Sequence, residues 1–333
     1  MVKPFPVRWV TAEDSTEPKA VNSVLDLVGD TPLLQIHKIA HGLSPGVRIF
    51  AKLEGFNPGG SVKDRPSLKM VQEGIRSGKL SEGKTIIDST SGNTGIALAL
   101  IGRVLGYPVE LVMPSNVSTE RKRIIAALGA NIVFSDPLEG SDGAIRLCRK
   151  ILEENPEKYF KPDQYFNPMN AQAHYETTGP EIYRQTNREV AHFIAGIGTG
   201  GTIMGTGRYL KEMNPRIRVI AVEPDDALHG LEGLKHMASS IVPGIYHEEE
   251  VDEKIAVSTE DAYAMVYRLS QEEGVVVGQS AGAAMYATLQ VARKLRSGTL
   301  VTVFPDFGDK YLTTNLWVGW RDKMSVGNLN FSI

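Results

Sequence analysis

A chain of 333 residues with 42% hydrophobic and 23% charged side chains has the make-up of a soluble globular protein too large for one hydrophobic core. A formal net charge of −3, with no clustered run of Lys and Arg, argues against a nucleic-acid surface, and the longest apolar run, around Ile96 to Ile101, is far too short to cross a bilayer. The single cysteine, Cys148, excludes an intramolecular disulfide and a Cys-based metal cluster, and the N-terminus, with Pro, Arg and acidic residues in place of an apolar signal, points to a cytoplasmic address.

In chain order, His37 and His41 come first, with the spacing of a helical metal pair but no third ligand; they read as two helix-surface histidines. A strand is predicted over 47–54, then a Gly/Pro loop and a helix over 65–77. Strands over 85–88, 109–113 and 131–134 alternate with helices over 94–105 and 118–128. Cys148 falls in an amphipathic helical stretch and reads as a small buried hydrophobe. The segment 155–168, with three prolines and no periodicity, marks the junction of two halves, 1–165 and 166–333, the earliest part of the first crossing to the second. The second half continues with strands over 191–195, 218–223, 275–277 and 300–304 and helices over 202–213, 259–273 and 281–295. Strand–helix alternation implies parallel sheet, because parallel neighbours need a crossover connection.

Four loops between these elements carry chemistry-bearing residues. Asn57-Pro58-Gly59-Gly60-Ser61-Val62-Lys63-Asp64-Arg65 places a lysine at a helix N-terminus, where the dipole disfavours its protonated form. Thr90-Ser91-Gly92-Asn93-Thr94-Gly95 stacks polar side chains and backbone N–H groups at another helix start, an anion site more than a simple cap. Gly196-Ile197-Gly198-Thr199-Gly200-Gly201-Thr202 fits the dinucleotide pattern, with Glu223 as a would-be ribose ligand; a nicotinamide-dependent dehydrogenase is therefore the rival reading. Thr199 and Thr202 add hydroxyls suited to a terminal phosphate. Gly278-Gln279-Ser280-Ala281-Gly282 has the G-x-S-x-G form of a hydrolase elbow, but that fold needs a histidine after the serine, and the last is His247.

In this order, N-P-G-G-S-V-K-D-R, T-S-G-N-T-G, G-x-G-T-G-G-T and G-x-S-x-G-A resemble the cysteine synthase and cystathionine β-synthase family of fold type II pyridoxal-phosphate enzymes, from about Ser23 to Trp317. The resemblance implies an α/β, two-lobed fold similar to the tryptophan synthase β subunit, each lobe a mainly parallel sheet flanked by helices. It implies Lys63 as the Schiff-base lysine, Asn93 on the cofactor's phenolic oxygen, Gly198, Thr199, Gly200, Gly201 and Thr202 around its phosphate, and Ser280 facing the pyridine nitrogen. Thr90, Ser91, Gly92 and Thr94 would bind the substrate carboxylate, with Gln164 also reaching the substrate. The implied reaction is β-replacement on an O-activated serine by sulfide through an α-aminoacrylate, giving L-cysteine in a cytoplasmic homodimer. A serine at the ring nitrogen, instead of a carboxylate, leaves the ring unprotonated and favours β-elimination over transamination.

The chain departs from the commonest pattern after Glu223-Pro224, where Lys235 falls at a position that O-phosphoserine-using relatives fill with a basic residue; Gln279 also differs from the residue most often seen there. O-acetylserine is the expected substrate, with O-phosphoserine as the alternative if Lys235 faces the leaving group. A cystathionine β-synthase-like activity is the alternative for the sulfur nucleophile.

Overall fold

A computed structural model of the chain describes residues 20–90, 92–115 and 117–317. Two sheets organise it. The four-stranded sheet comprises β3 (Thr85–Ser89), β4 (Val109–Pro114), β5 (Asn131–Ser135) and β6 (Tyr159–Phe160), in the order β5-β4-β3-β6 and parallel throughout. Its strands are near-continuous apolar runs, and Ile86, Ile87, Leu111, Val112 and Met113 are fully buried, as expected when helices cover both faces. The covering helices are α2 (Asn93–Leu105), α3 (Thr119–Ala127) and α4 (Gly140–Glu154).

The six-stranded sheet runs β1-β2-β10-β7-β8-β9. It joins β1 (Leu33–Ile36) and β2 (Gly46–Leu53) from early in the chain to β7 (Val190–Gly196), β8 (Arg218–Pro224), β9 (Glu253–Val257) and β10 (Ser297–Phe304). Only β1 is antiparallel to its neighbour. Its helices are α5 (Met169–Glu176), α6 (Thr178–Gln185), α7 (Gly201–Met213), α8 (Thr259–Arg268) and α9 (Gln279–Ala292), while α1 (Asp64–Arg76) bridges from β2 to the four-stranded sheet. Helix α9 is buried along nearly its whole length, which its Ala- and Gly-rich sequence allows; a Cβ at Gly282 would stand 2.2 Å from the carbonyl oxygen of Ala262, so α8 and α9 touch there only through a glycine.

Two expectations change. Residues 275–277 form no strand: after a π-helical turn, Leu269–Glu273, the chain makes one isolated pairing, Val277 with Phe307. Strand β10 is hydrogen-bonded on both sides, to β2 and β7, so it has no edge left for that apolar run. His37 and His41 lie in the turn between β1 and β2, not on a helix. Cys148 is fully buried in α4, and burial pushes its thiol up to about 12, as befits a packing residue.

Candidate active site

The loops leaving the C-terminal ends of β2, β3, β7 and β10 converge on a cavity of about 780 Å³, where parallel sheets place their ligand sites. Lys63, Thr90, Gly92, Asn93, Thr94, Gln164, Gly198, Thr199 and Lys235 all line it. Ser91 lies outside the described residues.

Lys63 stands at the N-cap of α1. Its loop is fastened from behind: Val62 N donates to Pro305 O at 2.8 Å, and Lys310 Nζ donates to the carbonyls of Gly59 and Gly60 at 3.0 and 2.9 Å. Gly60 has φ +76° and a missing Cβ where Lys310 Nζ sits 2.9 Å away, so a side chain there is excluded twice. Lys63 Nζ has no hydrogen-bond partner among the described residues. Burial lowers its pKa, opposed by the nearby Asp306 carboxylate.

The second loop caps α2. Asn93 Nδ2 donates to Asp306 Oδ2 at 2.7 Å, and Thr94 Oγ1 donates to Gln164 Oε1 at 2.9 Å. Two residues placed together only by family resemblance, Thr94 and Gln164, are therefore in direct contact. Thr90 N is held by Val112 O, leaving the Thr90 and Gly92 edge facing the cavity beside the N-terminus of α2.

The third loop runs into α7. A Cβ on Gly198 would lie 2.3 Å from Gly233 O, Gly200 has φ +88°, and a Cβ on Gly201 would lie 1.9 Å from Asn170 Oδ1. The glycines thus bring the bare backbone against its supports at the entry to α7. Asn170 Nδ2 donates to Thr199 Oγ1 at 2.9 Å and to Gln164 O at 2.7 Å, which ties this loop to the segment carrying Gln164. Thr202 Oγ1 is 3.3 Å from His174 Nε2, and His174 Nδ1 is 2.9 Å from Thr178 Oγ1. Burial, reinforced by the Arg65 charge, holds His174 down to about 3, so it is a neutral hydrogen-bonding ring. Gly200, Gly201 and Thr202 stand at the start of α7 behind the lining of the cavity. Ser280 sits 6% exposed in the first turn of α9, next to Gln279, which does line it.

Lys235 lies in the wall. Its Nζ is 5.1 Å from the Tyr165 ring centroid, its backbone N–H donates to Ile197 O, and burial lowers its pKa against the attraction of Asp142. Gln279 Oε1 accepts from Glu232 N at 3.1 Å; Glu232 in turn accepts from Arg121, whose guanidinium lies 5.0 Å over the Tyr311 ring. Asp306, Lys310, Tyr311, Arg121, Asn170 and His174 were not singled out from sequence. The dense polar run Asp306-Phe307-Gly308-Asp309-Lys310-Tyr311 directly after an apolar strand was the available signal.

Pyridoxal phosphate carries an aldehyde, a phenolic oxygen, a ring nitrogen and a phosphate. The cleft offers an unpartnered amine, an amide N–H, a serine hydroxyl nearby and a glycine cradle at a helix N-terminus with two threonines, so the donor set fits the group. A dinucleotide fits less well, since Glu223 accepts from Met237 N at 3.0 Å and pairs with Lys254 at 3.4 Å instead of facing a ligand.

The family model for pyridoxal-phosphate dependent enzymes matches residues 24–306. The chain is 54% identical over 315 residues to a cysteine synthase of Aquifex aeolicus, covering 93% of this chain and 96% of that one. Among solved structures it is similar to the cysteine synthase (OASS) of Entamoeba histolytica, with a TM-score of 0.88, 38% identity and 93% and 94% of the two chains covered. It is also similar to an O-acetylserine dependent cystathionine β-synthase of Helicobacter pylori, with a TM-score of 0.84, 36% identity and 90% and 100% covered.

Proposed function

The chain belongs to the pyridoxal-phosphate-dependent enzymes and, within them, to the cysteine synthases, and from that premise we propose that it exchanges the acetyl-ester oxygen of O-acetylserine for sulfide to give L-cysteine. Bound pyridoxal phosphate supplies an aldehyde that amines capture and a conjugated ring that delocalises negative charge from the adjoining carbon. Lys63 Nζ is the anchoring amine: its lowered pKa raises the unprotonated fraction that can attack a carbonyl. The same Nζ, when unprotonated, would remove the substrate's Cα proton and later return one. Thr90, Ser91, Gly92 and Thr94, with the N-terminus of α2, bind the substrate carboxylate, and Gln164 orients it through its bond to Thr94. Gly198, Thr199, Gly200, Gly201 and Thr202 hold the phosphate at the N-terminus of α7, backed by Asn170 and neutral His174. Ser280 offers the ring nitrogen a neutral hydroxyl.

The observation that carries this reading is the Lys63 amine, without a hydrogen-bond partner among the described residues, lining the same cavity as the N-terminus of α2 and the Gly198–Thr199 loop that leads into α7. Lys63→Ala is expected to lose the borohydride-reducible cofactor link and at least a thousand-fold in turnover, more than general acid–base help alone contributes at the low end of its range. A variant that kept both would move the anchor to another lysine.

Lys235 supports a second reading, O-phosphoserine as substrate, because its ammonium lines the cavity where a dianionic leaving group would gain from it. Lys235→Ala should then cost about 1–3 kcal/mol in kcat/KM for O-phosphoserine and leave O-acetylserine unchanged. Equal small losses on both esters would leave acetyl as the leaving group.

We take the two sheets with their helices as the two lobes. A homodimer in the cytoplasm completes the proposal; apolar Val21, Val24 and Leu27 are exposed near the first described residues, and no helix among the described residues is long and apolar enough to cross a membrane.

A further inference from the structure

We propose that Asp306 and Lys310 are positioning residues that lock the Asn93 amide with its N–H edge toward the cofactor. An amide side chain has two ends of nearly equal shape, one that only donates and one that only accepts, and its neighbours decide which end points where. Here both ends are decided. Nδ2 donates to Asp306 Oδ2 at 2.7 Å, while Oδ1 accepts from Lys310 Nζ at 3.0 Å. Turning the amide over would set its carbonyl against a buried carboxylate and its NH₂ against a buried ammonium, losing two charge-assisted bonds and gaining two repulsions.

The lock is itself held. Asp306 accepts a second bond from Tyr311 OH at 2.6 Å, and its backbone pairs with Ser61. Lys310 is fixed by the carbonyls of Gly59 and Gly60, in the loop that carries Lys63. The anchoring lysine and the amide are thereby set from one frame, although they leave different sheets. Asn93 Nδ2 makes no further hydrogen bond among the described residues, so its second hydrogen is left for the cavity that the residue lines. Aspartate and lysine together also add no net charge, so the amide presents a directed dipole and not an ion. A donor aimed at a phenolic oxygen favours its ionised form, which absorbs at longer wavelength than the protonated one.

This inference rests on the assignment of the cleft to pyridoxal phosphate. The test is a mutant cycle read by cofactor titration of the apoprotein and by the visible spectrum. Lys310→Met and Asp306→Asn should each lower the affinity for pyridoxal phosphate roughly tenfold, as the loss of a charge-linked hydrogen bond does, and shift absorption toward shorter wavelength. Lys310→Arg, which keeps the charge and the donors, should recover most of both. Combined with Asn93→Ala, which should show the same loss and shift, Lys310→Met should add nothing further to the spectrum, because its effect passes through the amide. A spectral shift from Lys310→Met of equal size with and without Asn93 would overturn the proposal and make Lys310 a support of the Gly59–Gly60 loop only. A yellow wild type whose spectrum the variants leave unchanged would remove the lock alone. A wild type that forms no visible adduct would remove the reading of the cleft and the lock with it.

Discussion

Arg65 and Lys63 stand on successive sides of the first residue of α1, yet one closes a charge cluster and the other is left open. Arg65 is 3% exposed and gives paired bonds to Glu54, at 2.7 and 2.8 Å, and to Glu181, at 2.6 and 2.7 Å. Lys52 adds a second cation against Glu181 at 2.6 Å, so two cations face two anions with Thr31, Asn57 and Gln185 filling the remaining valences. Burial alone would push Glu54 up and Arg65 down, but their mutual attraction wins, drawing Glu54 to about 2 and Arg65 above its usual range. Lys52 is the exception, lowered because burial outweighs its two carboxylates. Around Lys63 the balance reverses. Burial lowers Lys63 and Lys310 and raises Asp306, and it lifts Asp64 to about 6; Oδ1 of both aspartates is buried without a partner among the described residues. The closed cluster favours its charges, whereas in the open one burial works against them and leaves two carboxylate oxygens without partners among the described residues.

Breaking the closed cluster should have the larger effect. Arg65→Ala strands the buried Glu54 carboxylate and leaves Glu181 to Lys52 alone, and is expected to cost about 3–5 kcal/mol in chemical denaturation. A loss below about 1 kcal/mol would mean the cluster relaxes or hydrates, and the contrast would fail.

Titration separates the clusters next. Glu54 has a folded pKa below its unfolded value, so its contribution is fully present above about pH 4.5 and is lost as pH falls toward 2, a change on the order of 3 kcal/mol. Asp64 has the opposite sign: its folded pKa is raised, so its contribution is present below about pH 4 and is lost as pH rises through 6. Urea midpoints from pH 3 to 7 should show Glu54→Gln flattening the acid side and Asp64→Asn flattening the side between 4 and 6. A shared slope change in both variants would erase the distinction.

The smallest effect sharpens it most. Removing the Lys63 amine breaks no hydrogen bond among the described residues and takes away a charge that burial disfavours, so cofactor-free Lys63→Ala should match the wild-type apoprotein within about 1 kcal/mol, or exceed it. A large loss would mean the open cluster is structural after all.

The fold was largely legible because its parallel strands are apolar runs bounded by turn residues, glycines beside β3, β4 and β7 and Asn214-Pro215 before β8. The misses have physical causes. Strand β6 is two residues long, β9 alternates buried and exposed positions after a charged Glu-Lys start, and α5 carries no clear apolar stripe. The run 275–277 looked like a strand because it is Val-Val-Val, but strand identity needs a free edge as well as composition. Of the site, the loops were readable because glycines and polar side chains cluster locally. Their supports were not: Asp306 and Lys310 meet Asn93 from more than 200 positions away, and Asn170 and His174 read as ordinary helix residues until α5 is packed on α7.

Strand β10 fills the middle of the six-stranded sheet, bonded to β2 on one side and β7 on the other. The ribosome has therefore released β2, which ends at residue 53, long before residue 297 begins the strand that completes it. At about 5–20 residues per second that wait is roughly ten to fifty seconds, during which β1 and β2 form only a two-stranded hairpin, marginal by itself. The nascent chain carries an unsatisfied sheet edge until β10 emerges, and the loops that β10 finally fastens, including the one bearing Lys63, take shape only after that. Cofactor capture by this route is a late, post-assembly event, and chaperone demand should concentrate on the stretch before β10 emerges.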